Sequence, residues 1–276
     1  MRDIKPYHIQ SIVKDAGFGG TCPIIVKANN KEYVLKTRDD GVNPRSLGIF
    51  NELLAYQLLD YLHINIAPQE VVYLYIDDDF IDMANIAQQE GLIKEESYDY
   101  IKASEGFNIG IEYLHNAMEP LNETITNQNF IKDISHIDNY IMNCDRAKGN
   151  INVLQDKLNQ RKYYAIDFGN ALADGECYKH IQSGNTTIFS AFHECNATLS
   201  GRYIFREDVK RLIKRGRYIK ENIVNIRFTI SDIIDSFPPD WEPLAYKNEI
   251  VEVISQRIKS RKIFQVTPSS KCKCLY

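Results

Sequence analysis

The stretch Cys144–Gly169, CDRAKGNINVLQDKLNQRKYYAIDFG, decides how this chain is interpreted. It contains an Asp-Arg pair, an Asn five residues after the Asp, an apolar run and a final Asp-Phe-Gly. A phosphoryl-transfer centre needs a carboxylate that orients the attacking hydroxyl and oxygen ligands that hold Mg²⁺. In that interpretation Asp145 is the base, and Asn150 and Asp167 bind the metal. Arg146 and Lys148 add positive charge that would neutralise phosphate. Each short pattern also arises by chance in polar loops, so the rest of the chain must supply the missing parts.

A glycine-rich turn, DAGFGG, lies between two strand-like segments near the N-terminus. Gly17, Gly19 and Gly20 permit positive φ angles and let backbone N–H groups approach phosphates closely. A simple hairpin turn explains the same glycines equally well. The prediction that this turn binds nucleotide phosphates therefore depends on the presence of the other motifs.

A strand lysine and a helix glutamate supply two further parts of such a centre. Lys36 ends the apolar strand EYVLKT, and a buried lysine requires a partner. The predicted partner is Glu52 on the following helix, which would hold the ammonium group against the phosphates. Lys27, in the preceding strand, is the competing lysine, and a solvent-exposed Lys36 is the alternative interpretation. Asn152 is a reserve metal ligand if the segment after Asn150 is extended.

The order of the secondary structure predicts an α+β fold with two lobes. Strand patterns and a hairpin at Asn-Asn-Lys precede an apolar helix at about residues 48–62, and helical patterns dominate beyond residue 129. Three consecutive aspartates, Asp77–Asp79, suggest a hairpin turn with FIDMANI as its second strand. We predict a β-rich N-lobe over residues 1–108 and a helical C-lobe over residues 109–276, with the nucleotide between them.

The composition is that of a folded globular protein. The chain has 276 residues, 44% hydrophobic and 25% charged, with a net charge of −4. This charge argues against nucleic acid as an obligatory partner, so no DNA binding is expected. No segment is long and apolar enough to span a membrane, and the six scattered cysteines favour reduced thiols. These features predict a cytoplasmic protein without membrane attachment.

The combined motifs resemble the HipA-like branch of the protein-kinase-like superfamily. D-R-A-K-G-N and A-I-D-F-G-N are similar to its catalytic and metal-binding motifs, and FPPDWEP before a terminal helix is similar as well. The resemblance implies ATP and Mg²⁺, with Asp145 as base, Asn150 and Asp167 as metal ligands, and Lys36 on the phosphates. It also implies a serine or threonine acceptor in a protein and an antitoxin-like regulatory partner.

Two other enzyme or binding functions remain open from the sequence. The same centre would serve a small-molecule or lipid-headgroup kinase, or a nucleotide-binding pseudokinase that acts as a scaffold. The set of Lys36, Asp145, Asn150 and Asp167 is intact, which argues against the pseudokinase.

Three further motifs have simpler explanations than a second site. His193-Glu194 lacks the second histidine of a zinc-protease motif, because Ala197 occupies its place. Cys272 and Cys274 provide too few thiolates for a closed zinc site. The basic segment 206–220 is typical of a solvated helix face, with a docking surface as the alternative.

Overall fold

The computed structural model describes residues 4–17, 21–41, 46–143, 145–146, 150–174, 176–183 and 226–259. Within these ranges strands and helices are mixed, which confirms the predicted combination of both element types.

A closed five-stranded barrel forms the N-terminal part of the fold, with strand order β1-β2-β3-β5-β4. Its strands are β1 (Pro6–Asp15), β2 (Ile24–Ala28), β3 (Lys31–Lys36), β4 (Val71–Ile76) and β5 (Gly106–Glu112). Strand β1 closes the barrel, because it pairs antiparallel with β2 and parallel with β4. The predicted hairpin between β2 and β3 is confirmed: Asn29 and Asn30 form its turn with φ angles of +47° and +61°, and Asn tolerates such angles better than most residues.

Helix α1 (Leu47–Tyr61) confirms the helix predicted at about residues 48–62. It is apolar nearly all round, and twelve of its fifteen residues are buried. A helix of this kind belongs in the interior of a fold rather than on its surface. It packs between the barrel and the helices of the C-terminal part.

The hairpin predicted at Asp77–Asp79 was wrong. Strand β4 ends at Ile76, and helix α2 (Asp78–Gln89) follows at once, with α3 (Glu95–Ala103) behind it. The Asp77 carboxylate accepts a hydrogen bond from the backbone N–H of Phe80 at 3.0 Å and so caps the helix. The buried residues Phe80, Ala84 and Ala87 recur at helical spacing, which a strand would place on both faces.

Beyond the barrel the chain forms a small sheet and several helices. The sheet has the order β6-β7-β8. The elements are β6 (Ala117–Met118), a 3₁₀ turn (Leu121–Glu123), α4 (Gln128–Ile141), β7 (Val153–Asp156), β8 (Tyr163–Ala165), α5 (Ala171–Asp174), α6 (Glu176–Gln182), α7 (Ile226–Asp235), a second 3₁₀ turn (Glu242–Tyr246) and α8 (Lys247–Lys259). The predicted helix before Asp145 and the hairpin before Asp167 correspond to α4 and to β7–β8. Residue 108, where the lobe boundary was predicted, lies inside β5, and the division into two lobes stays a prediction.

The segment Ser236–Trp241 fastens the C-terminal helices to the barrel. The indole N–H of Trp241 donates to the Phe107 carbonyl at 3.2 Å, and Arg38 forms an ion pair with Asp240 at 2.5 Å. The Trp241 ring packs edge-on against Tyr73 of β4. We call residues 236–241 the C-terminal strap.

Candidate active site

A cavity of about 690 Å³ lies where the barrel meets α1, the small sheet and the segments that carry Asp145 and Asp167. The predicted residues Lys36, Glu52, Asp145, Asn150 and Asp167 all line it, as does the reserve ligand Asn152. Residues separated by more than 130 positions in the sequence therefore meet at one place. The roles assigned to them remain predictions.

The glycine-rich turn is described only in part. Gly17 has a φ angle of +78°, which suits glycine, but it is not among the described residues that line the cavity. Thr21 and Pro23, on the far side of the turn, do line it. Gly19 and Gly20 lie outside the described residues.

Lys36 pairs with Asp167 rather than with Glu52. The Lys36 ammonium group lies 2.8 Å from Asp167 Oδ1, and in the described part of the chain no ion pair joins it to Glu52. Burial opposes the charge on Lys36, but Asp167 and Glu52 outweigh it and raise the lysine pKa. Burial likewise opposes the charge on Asp167, and Lys36 more than compensates, so the pKa of this carboxyl is lowered. The competing lysine, Lys27, is exposed on β2 and does not line the cavity.

Glu52 instead holds the backbone of the Asp-Phe-Gly segment. Its Oε2 accepts the N–H of Phe168 at 2.7 Å, while its side chain is almost completely buried. Burial raises the pKa of Glu52 to about 7, although Lys36 pulls in the opposite direction. The predicted Lys36–Glu52 ion pair was wrong because the Lys36 ammonium group is bound by Asp167 and acts on Glu52 only through its charge, while Glu52 Oε2 accepts a backbone N–H that the sequence pattern does not show.

Three asparagine amides converge on the Asp145 carboxylate. Asn150 donates to Oδ1 at 3.0 Å, and Asn152 and Asn170 donate to Oδ2 at 3.0 and 2.9 Å. Burial raises the pKa of Asp145, whereas these amide bonds lower it. A carboxylate that accepts several hydrogen bonds is fixed in orientation. Sequence analysis missed Asn170, although it directly follows Gly169.

Arg146 is buried and acts inside the protein, not at the phosphates. Its Nε donates to both oxygens of Asp138 on α4, at 3.1 and 2.9 Å. Its Nη1 donates to the carbonyls of Asn152 at 2.6 Å and Ile166 at 2.8 Å, and the guanidinium lies 4.7 Å from the centre of the Phe168 ring. Arg146 thus ties α4 to both arms of the β7–β8 hairpin. The idea that its charge neutralises phosphate was wrong for this arrangement. Lys148, which was predicted to share that role, lies outside the described residues.

One part of the remaining cavity wall is apolar, and sequence analysis did not find it. Val34 of β3, Ile111 at the end of β5, and Ile166 before Asp167 all line it. The chain then leaves the barrel through Glu112–Leu114, whose residues also line the cavity. We call the part of the cavity that these three apolar side chains border the apolar slot, and such a surface is suited to a planar heterocycle such as a nucleobase. The sequence feature that could have located this slot is the change from a strand pattern to a connector at Glu112. That change contains no side chain with a recognisable chemical role, so it did not indicate a binding site.

The donor set at the cavity fits Mg²⁺. Within the described ranges no group of three or more His, Cys, Asp or Glu side chains could hold a metal. Mg²⁺ nevertheless needs only one or two carboxylates, with water and phosphate oxygens completing the shell. Asp167 is held ionised, and Asn150 turns its amide nitrogen to Asp145, which leaves its amide oxygen available. The structure thus has the oxygen ligands that the prediction requires.

Comparison with known proteins identifies the family. The HipA-like kinase family matches residues 9–262. The chain belongs to this family. No curated protein matches the sequence. Among solved structures, the Helicobacter pylori proinflammatory kinase CtkA is similar in fold, with a TM-score of 0.57 and 14% identity over 95% of this chain and 96% of that one.

Several sequence features lie outside the described residues, among them His193-Glu194, the basic segment 206–220, Cys272 and Cys274. In the part of the chain that the structure covers, none of the helices combines the length and apolar character needed to cross a membrane.

Proposed function

We propose that this chain is an ATP- and Mg²⁺-dependent kinase that transfers the γ-phosphoryl group to a serine or threonine hydroxyl of a protein. Membership of the HipA-like kinase family supports a phosphotransferase. The observation that carries the proposal is the meeting of Lys36, Asp145, Asn150 and Asp167 in one cavity with an apolar slot beside it.

Each residue has a task that follows from its surroundings. Lys36 carries a persistent positive charge for the phosphate oxygens, since its pKa is raised. Asp145 is held by three amides and is thereby positioned to orient an acceptor hydroxyl. Asp167 and Asn150 would hold Mg²⁺, which when bound neutralises charge on the phosphates. The adenine base is assigned to the slot that Val34 and Ile111 border.

The test is labelling of a cell lysate with γ-³²P-ATP and Mg²⁺ by the purified protein. We expect a new labelled protein band with wild type and none with Asp145→Ala. Asp82→Ala is the matched control, because Asp82 is an exposed carboxylate on α2 that does not line the cavity. Acid hydrolysis of the band should yield phosphoserine or phosphothreonine.

Other results would redirect the assignment. Label in small molecules or lipid alone would favour the small-molecule kinase, and nucleotide binding without ATP consumption would favour the scaffold. Equal labelling by wild type and Asp145→Ala would show that Asp145 is not the base. An antitoxin-like regulatory partner, which rests on the family resemblance, and a cytoplasmic location, which rests on the composition of the sequence, remain parts of the proposal.

A further inference from the structure

Helix α1 grips the segment that follows Asp167 through a second side chain besides Glu52. The Asn51 amide nitrogen donates to the Gly169 carbonyl at 2.9 Å and to the Ala171 carbonyl at 3.0 Å. Glu52, the next residue, accepts the N–H of Phe168. Two neighbouring side chains on one helix thereby bind both the donors and the acceptors of a single backbone turn.

The gripped turn needs outside support because its first residue has an uncommon backbone conformation. Asp167 has a φ angle of +58°, in the left-handed region that only a few per cent of residues other than Gly adopt, although Asp does so more often than most. Such a conformation persists only where surrounding contacts hold it. Lys36 holds the Asp167 side chain, but the carbonyls after Asp167 are held by Asn51.

Helix α1 is a fixed support for this turn. Asn51 is 1% exposed, and the helix is buried over most of its length. The backbone of Gly48 lies close enough to Gly169 that a methyl group there would be in contact with it. The Tyr56 ring packs edge-on against Phe168, with 5.7 Å between the ring centres. Helix α1 therefore contacts the turn at three positions along its length: at Gly48, at Asn51 and Glu52, and at Tyr56.

We propose that Asn51 is a positioning residue for metal binding, which fixes the backbone after Asp167 so that its carboxylate keeps the orientation of a metal ligand. This inference rests on the proposed function, because it takes Asp167 as a ligand of Mg²⁺. Removing a group that holds a metal-ligating residue in place typically lowers metal affinity or activity 10–100-fold.

The experiment measures Mn²⁺ binding by electron paramagnetic resonance in the presence of a non-hydrolysable ATP analogue. We expect Asn51→Ala to weaken Mn²⁺ binding by roughly 10–100-fold. Asn108→Ala is the matched control, since Asn108 is a fully buried asparagine on β5 that donates to the Ser104 and Gly106 carbonyls at 2.8 and 2.9 Å. Asn108→Ala loses these two bonds and also the one that its amide oxygen accepts from the Arg38 N–H at 2.7 Å, so it removes at least as many contacts as Asn51→Ala, but only Asn51 borders the Asp167 turn. Melting temperatures are measured for both, and Asn51→Ser, which retains a donor, replaces Asn51→Ala if the latter does not fold.

A selective loss of Mn²⁺ affinity in the Asn51 variant, with a melting temperature at least as high as that of the Asn108 variant, supports the inference. Equal affinity in wild type and the Asn51 variant overturns it and leaves the kinase assignment standing. An equal loss in both variants also overturns it, because the cause is then general destabilisation. If wild type binds no Mn²⁺ with the analogue, the inference and the proposed metal site fail together.

Discussion

Replacing Arg146 by Met should strongly destabilise the protein. The substitution should not remove a phosphate ligand, because Arg146 does not line the cavity. Arg146 is 0% and Asp138 7% exposed, so the change leaves a carboxylate buried without its cation. Breaking a buried pair in this way costs about 3–5 kcal/mol. The Ile166 carbonyl loses its donor as well, at about 1–3 kcal/mol if no water replaces it, whereas the Asn152 carbonyl keeps the backbone N–H of Ile166 at 3.1 Å.

Urea denaturation gives the measurement. With a slope of about 3 kcal/mol/M, a loss of 3–5 kcal/mol lowers the midpoint by about 1–1.7 M. Burial already raises the pKa of Asp138, and removing Arg146 raises it further. A carboxyl whose folded pKa lies above its unfolded value stabilises the fold at low pH, and this contribution is lost as pH rises through the folded pKa. The deficit of Arg146→Met should therefore shrink as the pH is lowered from 8 to 5.

A second substitution isolates the ion pair from the lost carbonyl contacts. Asp138→Asn is isosteric and removes the charge, so in the Arg146→Met background it should restore at least about 2 kcal/mol. In the wild-type background it should instead be destabilising, because Arg146 then lacks its carboxylate. If the two substitutions are additive within about 0.5 kcal/mol, the pair does not couple and the reasoning is refuted.

Three further predictions follow from the cavity. Glu52→Gln should flatten the pH dependence of the urea midpoint. The pKa of Glu52 is about 7, above its ordinary 4.5, so the wild-type protein should lose stability as the pH rises from 4.5 through 7. An equal change of the urea midpoint with pH in both proteins would contradict this. Lys36→Met should abolish phosphoryl transfer. The variant should still bind Mn²⁺ without nucleotide at least as tightly as wild type, because the lysine ammonium group no longer competes with the metal for Asp167. Weaker Mn²⁺ binding by the variant in a titration would count against that competition. Asp167→Asn should abolish transfer and lower Mn²⁺ affinity by at least about 10-fold, and unchanged affinity would remove Asp167 from the metal site.

Sequence patterns predicted the elements that local chemistry specifies. The Asn-Asn turn, the apolar helix α1, the amphipathic helix α4 and the β7–β8 hairpin each have a period or turn residue that defines them. They also placed Lys36 on a strand and Glu52 on a helix, as the structure does, whereas Asp167 was predicted to end a strand and lies two residues beyond β8. The prediction at Asp77 failed because aspartate is favoured both in turns and at helix N-termini, and the apolar spacing after it was too short to decide between them.

Contacts within the site could not be read from the sequence for a different reason. Glu52 had a plausible cationic partner in Lys36, but a backbone N–H, which every residue but proline possesses, took its place. Arg146 looked like a phosphate ligand because a sequence shows its charge and not its burial. Asn51 gave no signal, since its partners are the carbonyls of Gly169 and Ala171.

The C-terminal strap affects the order in which contacts form while the chain is being synthesised. Arg38 and Asp240 pair across 202 positions, and Trp241 reaches Phe107 across 134. Contacts so distant in sequence form late and slow the folding of a chain. During synthesis the barrel emerges first, with the surface that Trp241 covers still exposed. The surface of Tyr73 and Phe107 that Trp241 contacts is therefore covered only after translation has passed residue 241, and until then the growing chain presents these aromatic side chains of the barrel without their C-terminal partner.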